Sequence, residues 1–119
     1  MLAERIEELQ QFQVRADALQ QLGREALTSP LAEQQAIAAY RDLKGDIDAR
    51  HKQQKRARYS GPETWFESVF ENALRNAHIA MKSPTQTSPK NAKWVGSVLE
   101  LRNEFSYHLK KLEKDLGQG

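Results

Sequence analysis

Tyr59-Ser60-Gly61-Pro62-Glu63, YSGPE at 59–63, breaks the chain near its middle. Glycine ends a helix readily because it takes left-handed backbone at no steric cost, and Pro62 suits a first helical position, where its missing N–H is not needed. Glu63 then falls in the first turn, at the positive end of the helix dipole. Outward from this break the same punctuation recurs at Ser29-Pro30 and Ser88-Pro89, where a serine hydroxyl can cap free backbone donors just ahead of a proline. The stretch Ser83-Pro84-Thr85-Gln86-Thr87-Ser88-Pro89 is polar and twice interrupted by proline, so it reads as a loop. Four helices result, at about 2–27, 30–58, 62–82 and 89–116, with Gly117 as a natural stop.

Each helix carries an apolar stripe at steps of three and four. Helix one has Leu9, Phe12, Ala16, Leu19 and Ala26; helix two has Ala36, Tyr40, Leu43 and Ile47. The same face of helix two then turns to His51, Gln54 and Arg58, so its last turns are expected to be wet. Helix three brings Trp65, Phe66, Val69, Phe70, Ala73, Leu74, Ala77 and Met81, and helix four Trp94, Val98, Leu101, Phe105, Leu109, Leu112 and Leu116. No segment alternates with the period of a strand. The class is all-α, and helices about 30–43 Å long at 1.5 Å per residue, joined by short loops, favour an antiparallel four-helix bundle, a single helical domain over 1–119. Seven of the nine aromatic residues lie between Tyr59 and Tyr107, which places the thickest core around helices three and four. The Ala-rich, Gln-flanked stripes of helices one and two suit close packing along another helix, within the chain or across a homodimer seam.

With 119 residues, 39% of them hydrophobic, and no cysteine, the chain can hold one core and excludes disulfides, thiolate metal sites and cysteine nucleophiles. MLAERIEELQQFQ lacks the apolar run of a secretory signal, and no segment approaches the roughly 20 apolar residues of a membrane span, so a cytoplasmic protein with no membrane partner is expected. The net charge of +2 hides a local excess: Arg50, Lys52, Lys55, Arg56 and Arg58 put five cations into nine residues. This run completes a helix C-terminus favourably and also suits docking of an acidic partner. Only His51 and Tyr59 interleave it for base stacking, and the small total charge does not indicate nucleic acid.

Candidate chemical groups also fall at helical spacing. Glu100, Glu104 and His108 are four apart on helix four, and Glu67 and Glu71 are four apart on helix three with His78 seven further on. Di-iron bundles use Glu-x-x-His, which neither set matches, so solvated acidic faces are expected, with no metal and no cofactor. His108 continues the stripe of Val98, Leu101, Phe105 and Leu112, the position of a partly buried, hydrogen-bonded histidine. Neither a nucleophile elbow nor a glycine-rich phosphate loop occurs.

Leu101-Arg102-Asn103-Glu104-Phe105-Ser106-Tyr107-His108 resembles the short motif of the HEPN superfamily, an Arg followed after four to six residues by His, often with Asn directly after the Arg. The resemblance covers these eight residues. It implies an RNA-directed nuclease or an inactive relative, in which Arg102 and His108 of two protomers meet across a dimer interface to position and polarise an RNA phosphate, with Asn103 in support. In a continuous helix six residues turn about 600°, so Arg102 and His108 project about 120° apart and a pair would need a helix irregularity or a second chain. The residues favour a non-enzymatic, self-associating interaction module that presents a helical face or the basic end of helix two to another protein. The HEPN-like nuclease is the alternative.

Overall fold

The structure is a computed structural model and describes residues 1–82 and 88–117, with side chains up to Lys114. Four α-helices follow one another: α1 (Leu2–Glu25), α2 (Pro30–Arg56), α3 (Thr64–Ala80) and α4 (Ala92–Gly117), with a 3-10 turn at Gly61–Glu63 leading into α3. No strand occurs among the described residues. Most of the expected loop, residues 83–87, and the side chain of Leu116 lie outside the described residues.

Local chemistry explains the boundaries, including those that differ from expectation. Ser29 accepts from the Ala32 N–H at 3.2 Å with Pro30 in the first turn, the anticipated cap. At α4 the expected Ser88 cap is displaced: Ser88 closes a turn by accepting the Asn91 N–H at 2.8 Å on its carbonyl. The Asn91 side chain then accepts from the Lys93 N–H at 2.8 Å, so the helix begins at Ala92 rather than at 89. Nor does Gly61 end α2. The chain leaves the helix at Ala57, whose backbone is extended, and Gly61, at φ 67, is used for the bend into the 3-10 turn. Helix one ends at Glu25, and α3 at Ala80, each two residues before the expected end.

Sequential helices pack side by side, and α1 also packs on α4, which closes a square with α1 and α3 touching across it. Direction follows from the pairs between helices. Arg15 meets Asp46 and Glu8 meets Arg50, while Gln10 meets Glu113 and Asp17 meets Arg102, so α1 runs antiparallel to both neighbours. The apolar stripes converge as expected, with Leu9, Ala16, Leu19, Ala36, Leu43, Ile47, Phe70, Leu74, Leu101, Phe105 and Leu112 buried. Phe12 of α1 stacks on Phe105 of α4 with ring centroids 5.7 Å apart. Trp65 departs from its expected place in the core: it is 39% exposed and stands edge-on to Phe66 at the rim.

Two buried polar knots interrupt the apolar interior. Toward one end the Ser97 hydroxyl donates to the Ala80 carbonyl at 2.7 Å and accepts from the Tyr40 hydroxyl at 2.7 Å, linking α2, α3 and α4. Burial raises the pKa of Tyr40, which keeps it a donor. At the other end Glu67 of α3, only 6% exposed, accepts from Arg5 Nε at 2.9 Å and from the Gln54 amide. Gln54 is therefore buried, at 2% exposure, against the expectation of a wet face, whereas His51 is half-buried and Arg58 is exposed. Hydrogen bonding continues the core where hydrophobicity stops.

Gly23 of α1 is the floor on which Trp94 lies, and an added Cβ there would stand 2.8 Å from Trp94 Cζ3. The indole is rigid and itself backed by Tyr40 at 5.6 Å, so it cannot yield cheaply. Gly23→Ala is expected to destabilise the fold by about 1–3 kcal/mol through overpacking. Gly45→Ala, in the open with nothing within 4 Å, is expected to stabilise it by about 0.5–1 kcal/mol. Urea denaturation midpoints of the two variants should move in opposite directions.

Candidate functional site

The basic run at the end of α2 divides by direction. Arg50 turns inward: its Nε donates to Glu8 at 2.8 Å, one terminal nitrogen donates to Gln54 at 3.1 Å, and its guanidinium lies 4.9 Å from the Phe70 ring centre. Burial pushes the pKa of Glu8 up, but hydrogen bonds and charge from Arg50 and Arg5 outweigh it and hold the carboxylate below its ordinary range. Lys52, Lys55, Arg56 and Arg58 instead face solvent. None of these four forms an ion pair among the described residues, and Arg75 of α3, also exposed, donates only to Asn72.

Between α2 and α3, Lys55 and Arg75 border a small cleft of about 150 Å³ whose other walls are His51 and Glu71. The walls follow from helical phase. On α2, Lys44, Asp48, His51 and Lys55 are spaced four, three and four; on α3, Glu71, Arg75 and His78 are spaced four and three, so each set occupies one flank. The ends of the row are tied: Asp48 accepts from Lys44 at 2.7 Å and from His78 Nδ1–H at 2.6 Å, while Tyr59 donates to Glu71 Oε2 at 3.1 Å. His51 lies 5.4 Å from His78, ring centre to ring centre, and its Nε2 is shielded from solvent with no hydrogen-bond partner.

Electrostatics follow this arrangement. Burial, then the neighbouring His78, Lys55 and Arg75, lower the pKa of His51, with Glu71 opposing. For Asp48, burial raises the pKa, but the hydrogen bonds from Lys44 and His78 and their charges prevail and lower it.

Helix four does not assemble Arg102, Asn103 and His108. Arg102 Nε pairs with Asp17 of α1 at 2.5 Å, and Asn103 is exposed. His108, 6% exposed, donates from Nδ1 to the Glu104 carbonyl at 2.8 Å, and the Glu104 carboxylate accepts from Asn76 of α3 at 3.0 Å. Arg102 is thus engaged toward α1, whereas the Glu104 pair with which His108 associates is engaged toward α3. The acidic faces on helices three and four are likewise divided: Glu67 faces Arg5 and Gln54, Glu71 faces Tyr59, and His78 faces Asp48. Among the described residues no three His, Asp or Glu side chains are grouped to hold a metal ion, and no helix is long and apolar enough to cross a membrane.

Reading motifs missed His51, Asp48, Arg75 and Tyr59 as members of one site. The four-three spacing of Lys44, Asp48, His51 and Lys55 was the signal, hidden because it runs beside the apolar stripe and carries no family pattern. No family model matches the chain, and neither a curated protein nor a solved structure does.

Because folding lowers the pKa of His51, the unfolded chain binds more protons below the ordinary imidazole value of 6.5, and stability is lost as pH falls through it. His51→Gln should weaken this acid sensitivity. Urea midpoints of the two proteins at pH 7.5 and 5.5 check it, the expected result being a smaller drop for the variant.

Proposed function

We propose that the chain is a non-enzymatic interaction module that docks an acidic protein segment on the exposed end of α2. The observation that carries this reading is a division among the candidate side chains: Arg50, Arg102 and His108 are engaged within the bundle, whereas Lys52, Lys55, Arg56 and Arg58 face solvent without an ion-pair partner among the described residues. Unpaired cations of one sign at a helix end steer an acidic partner and give it binding partners on arrival. Rigid support comes from Arg50, which anchors the same helix through Glu8 and Phe70.

Self-association belongs to the proposal with a changed location. The stripes of α1 and α2 that suit a seam are buried within the chain. A second copy would instead meet exposed apolar side chains, of which Val95 and Leu99, 51% and 46% exposed, stand one turn apart on α4.

Binding of a fluorescent polyglutamate peptide should be measurable at low salt, weaken steeply with ionic strength, and fall about tenfold or more for Lys52→Glu/Arg56→Glu/Arg58→Glu. Binding that ignores both salt and charge reversal would overturn the docking surface. Labelled RNA should survive incubation with the wild type; cleavage lost in both Arg102→Ala and His108→Ala would replace the module by the HEPN-like nuclease. In sedimentation equilibrium a dimer dissociated by Leu99→Lys is expected, and a clean 13.6 kDa species at high concentration would leave a monomeric module.

A further inference from the structure

The α2/α3 cleft has an inventory of hydrogen-bonding groups that narrows what can fill it. On the donor side are the Lys55 ammonium and the Arg75 guanidinium, whose charges have no carboxylate partner within ion-pair distance among the described residues. His51 adds an imidazole nitrogen that is out of water and unpartnered, an arrangement that costs free energy unless something answers it. On the acceptor side is Glu71. Tyr59 donates to its Oε2, and its Oε1 has no hydrogen-bond partner among the described residues.

A ligand that satisfies all four walls needs several acceptor oxygens and one hydroxyl donor, within about 150 Å³. A carboxylate has two oxygens and no proton. Sulfate has the oxygens, but at neutral pH it carries no proton, so it would face Glu71 charge to charge. The hydrogen-phosphate ion, HPO4²−, has three acceptor oxygens for Lys55, Arg75 and His51, and a P–OH for Glu71. We propose that the cleft between α2 and α3 is a binding site for a hydrogen-phosphate group, held by His51, Lys55 and Arg75 and selected against sulfate by Glu71.

The site deepens the docking surface, since Lys55 belongs to both, and it names the group a partner would place there. No bond is made or broken. The phosphate stands where Tyr59 already holds Glu71 in place and where His78, fixed by Asp48, backs His51. Free phosphate as HPO4²− presents all four groups, whereas a phosphomonoester has an ester oxygen in place of one of them and must take up a proton to offer Glu71 a hydroxyl, so it binds more weakly unless its remainder adds contacts.

The test is a titration of the full chain at pH 7 with inorganic phosphate, O-phosphoserine and sulfate at equal ionic strength, followed by the ring proton shifts of His51 and by calorimetry. Phosphate should shift His51, sulfate should bind about tenfold more weakly, the difference one unsatisfied charged hydrogen bond makes, and O-phosphoserine should fall between them because it must take up a proton on binding. Glu71→Gln should remove most of that preference by admitting sulfate, and Arg75→Gln should weaken phosphate about tenfold, with helicity of each checked by circular dichroism. Equal titration of wild-type protein by phosphate and sulfate, or no shift at His51, overturns the site without reference to any variant. Lys52→Ser/Arg56→Ser/Arg58→Ser separates the two readings: loss of polyglutamate binding with phosphate binding intact supports both, and loss of phosphate binding overturns the cleft.

Discussion

Glu67 sits where α1, α2 and α3 meet, almost entirely out of water, and its charge has to be answered there. Arg5 and Gln54 answer it directly; Glu8 then answers Arg5, and Arg50 answers Glu8 and Gln54 in turn. Phe70 lies against both guanidiniums, at 5.3 and 4.9 Å. Two cations and two carboxylates balance, and removing Arg5 takes from the buried Glu67 its ion-pair partner, a loss of order 3–5 kcal/mol where a desolvated ion pair is broken. Apolar side chains tolerate a shift of one helix past another far better than such a set of directed bonds does. The register of three helices, and with it the phase of every residue on the α2 and α3 flanks, therefore depends on this knot. The cleft that carries His51 and Arg75 lies on those same two helices.

The far end of the bundle is held by different means. There Tyr40, Ser97 and the Ala80 carbonyl form a directed chain, and Trp94 fills the space between Tyr40 and the bare backbone at Gly23. The two ends thus fix the helices against sliding while the middle is left to ordinary packing, Phe12 on Phe105 and the leucines around them. Exposed pairs such as Arg15 with Asp46 add little by themselves, because water and salt screen them, but they agree with the register set by the buried groups.

How much of this was legible in the sequence depended on whether a residue's role was local. The Ser29-Pro30 start and the stripes of Ala36, Tyr40, Leu43 and Ile47 were readable, since caps and helical phase are settled within a few residues. Gln54 was not. A polar residue on an apolar face reads as exposed unless its partner is known, and Glu67 comes from another helix. Trp65 misled for the converse reason, because an aromatic next to a core residue reads as core although its own phase carries it to the rim. In the candidate site, Lys55 belonged to an evident charge run, whereas Arg75 and Glu71 joined it only through the pairing of α2 with α3. The Arg102–His108 motif was legible as letters, but the motif did not announce that Arg102 is taken by Asp17 of α1 while His108 bonds the Glu104 carbonyl of its own helix.

The seat of Trp94 on Gly23 has a consequence for how this sequence can vary over time. A ring and a missing side chain occupy one volume between α1 and α4, so the two positions are free to change only together. A lineage that acquires a side chain at 23 must pass through an overpacked intermediate unless the ring at 94 has already become smaller. A smaller residue at 94 alone opens a void beside Tyr40. Either order of steps crosses a less stable ancestor, and the pair is therefore expected to be inherited as a unit, slowly exchanged even while the Gln-rich outer faces drift.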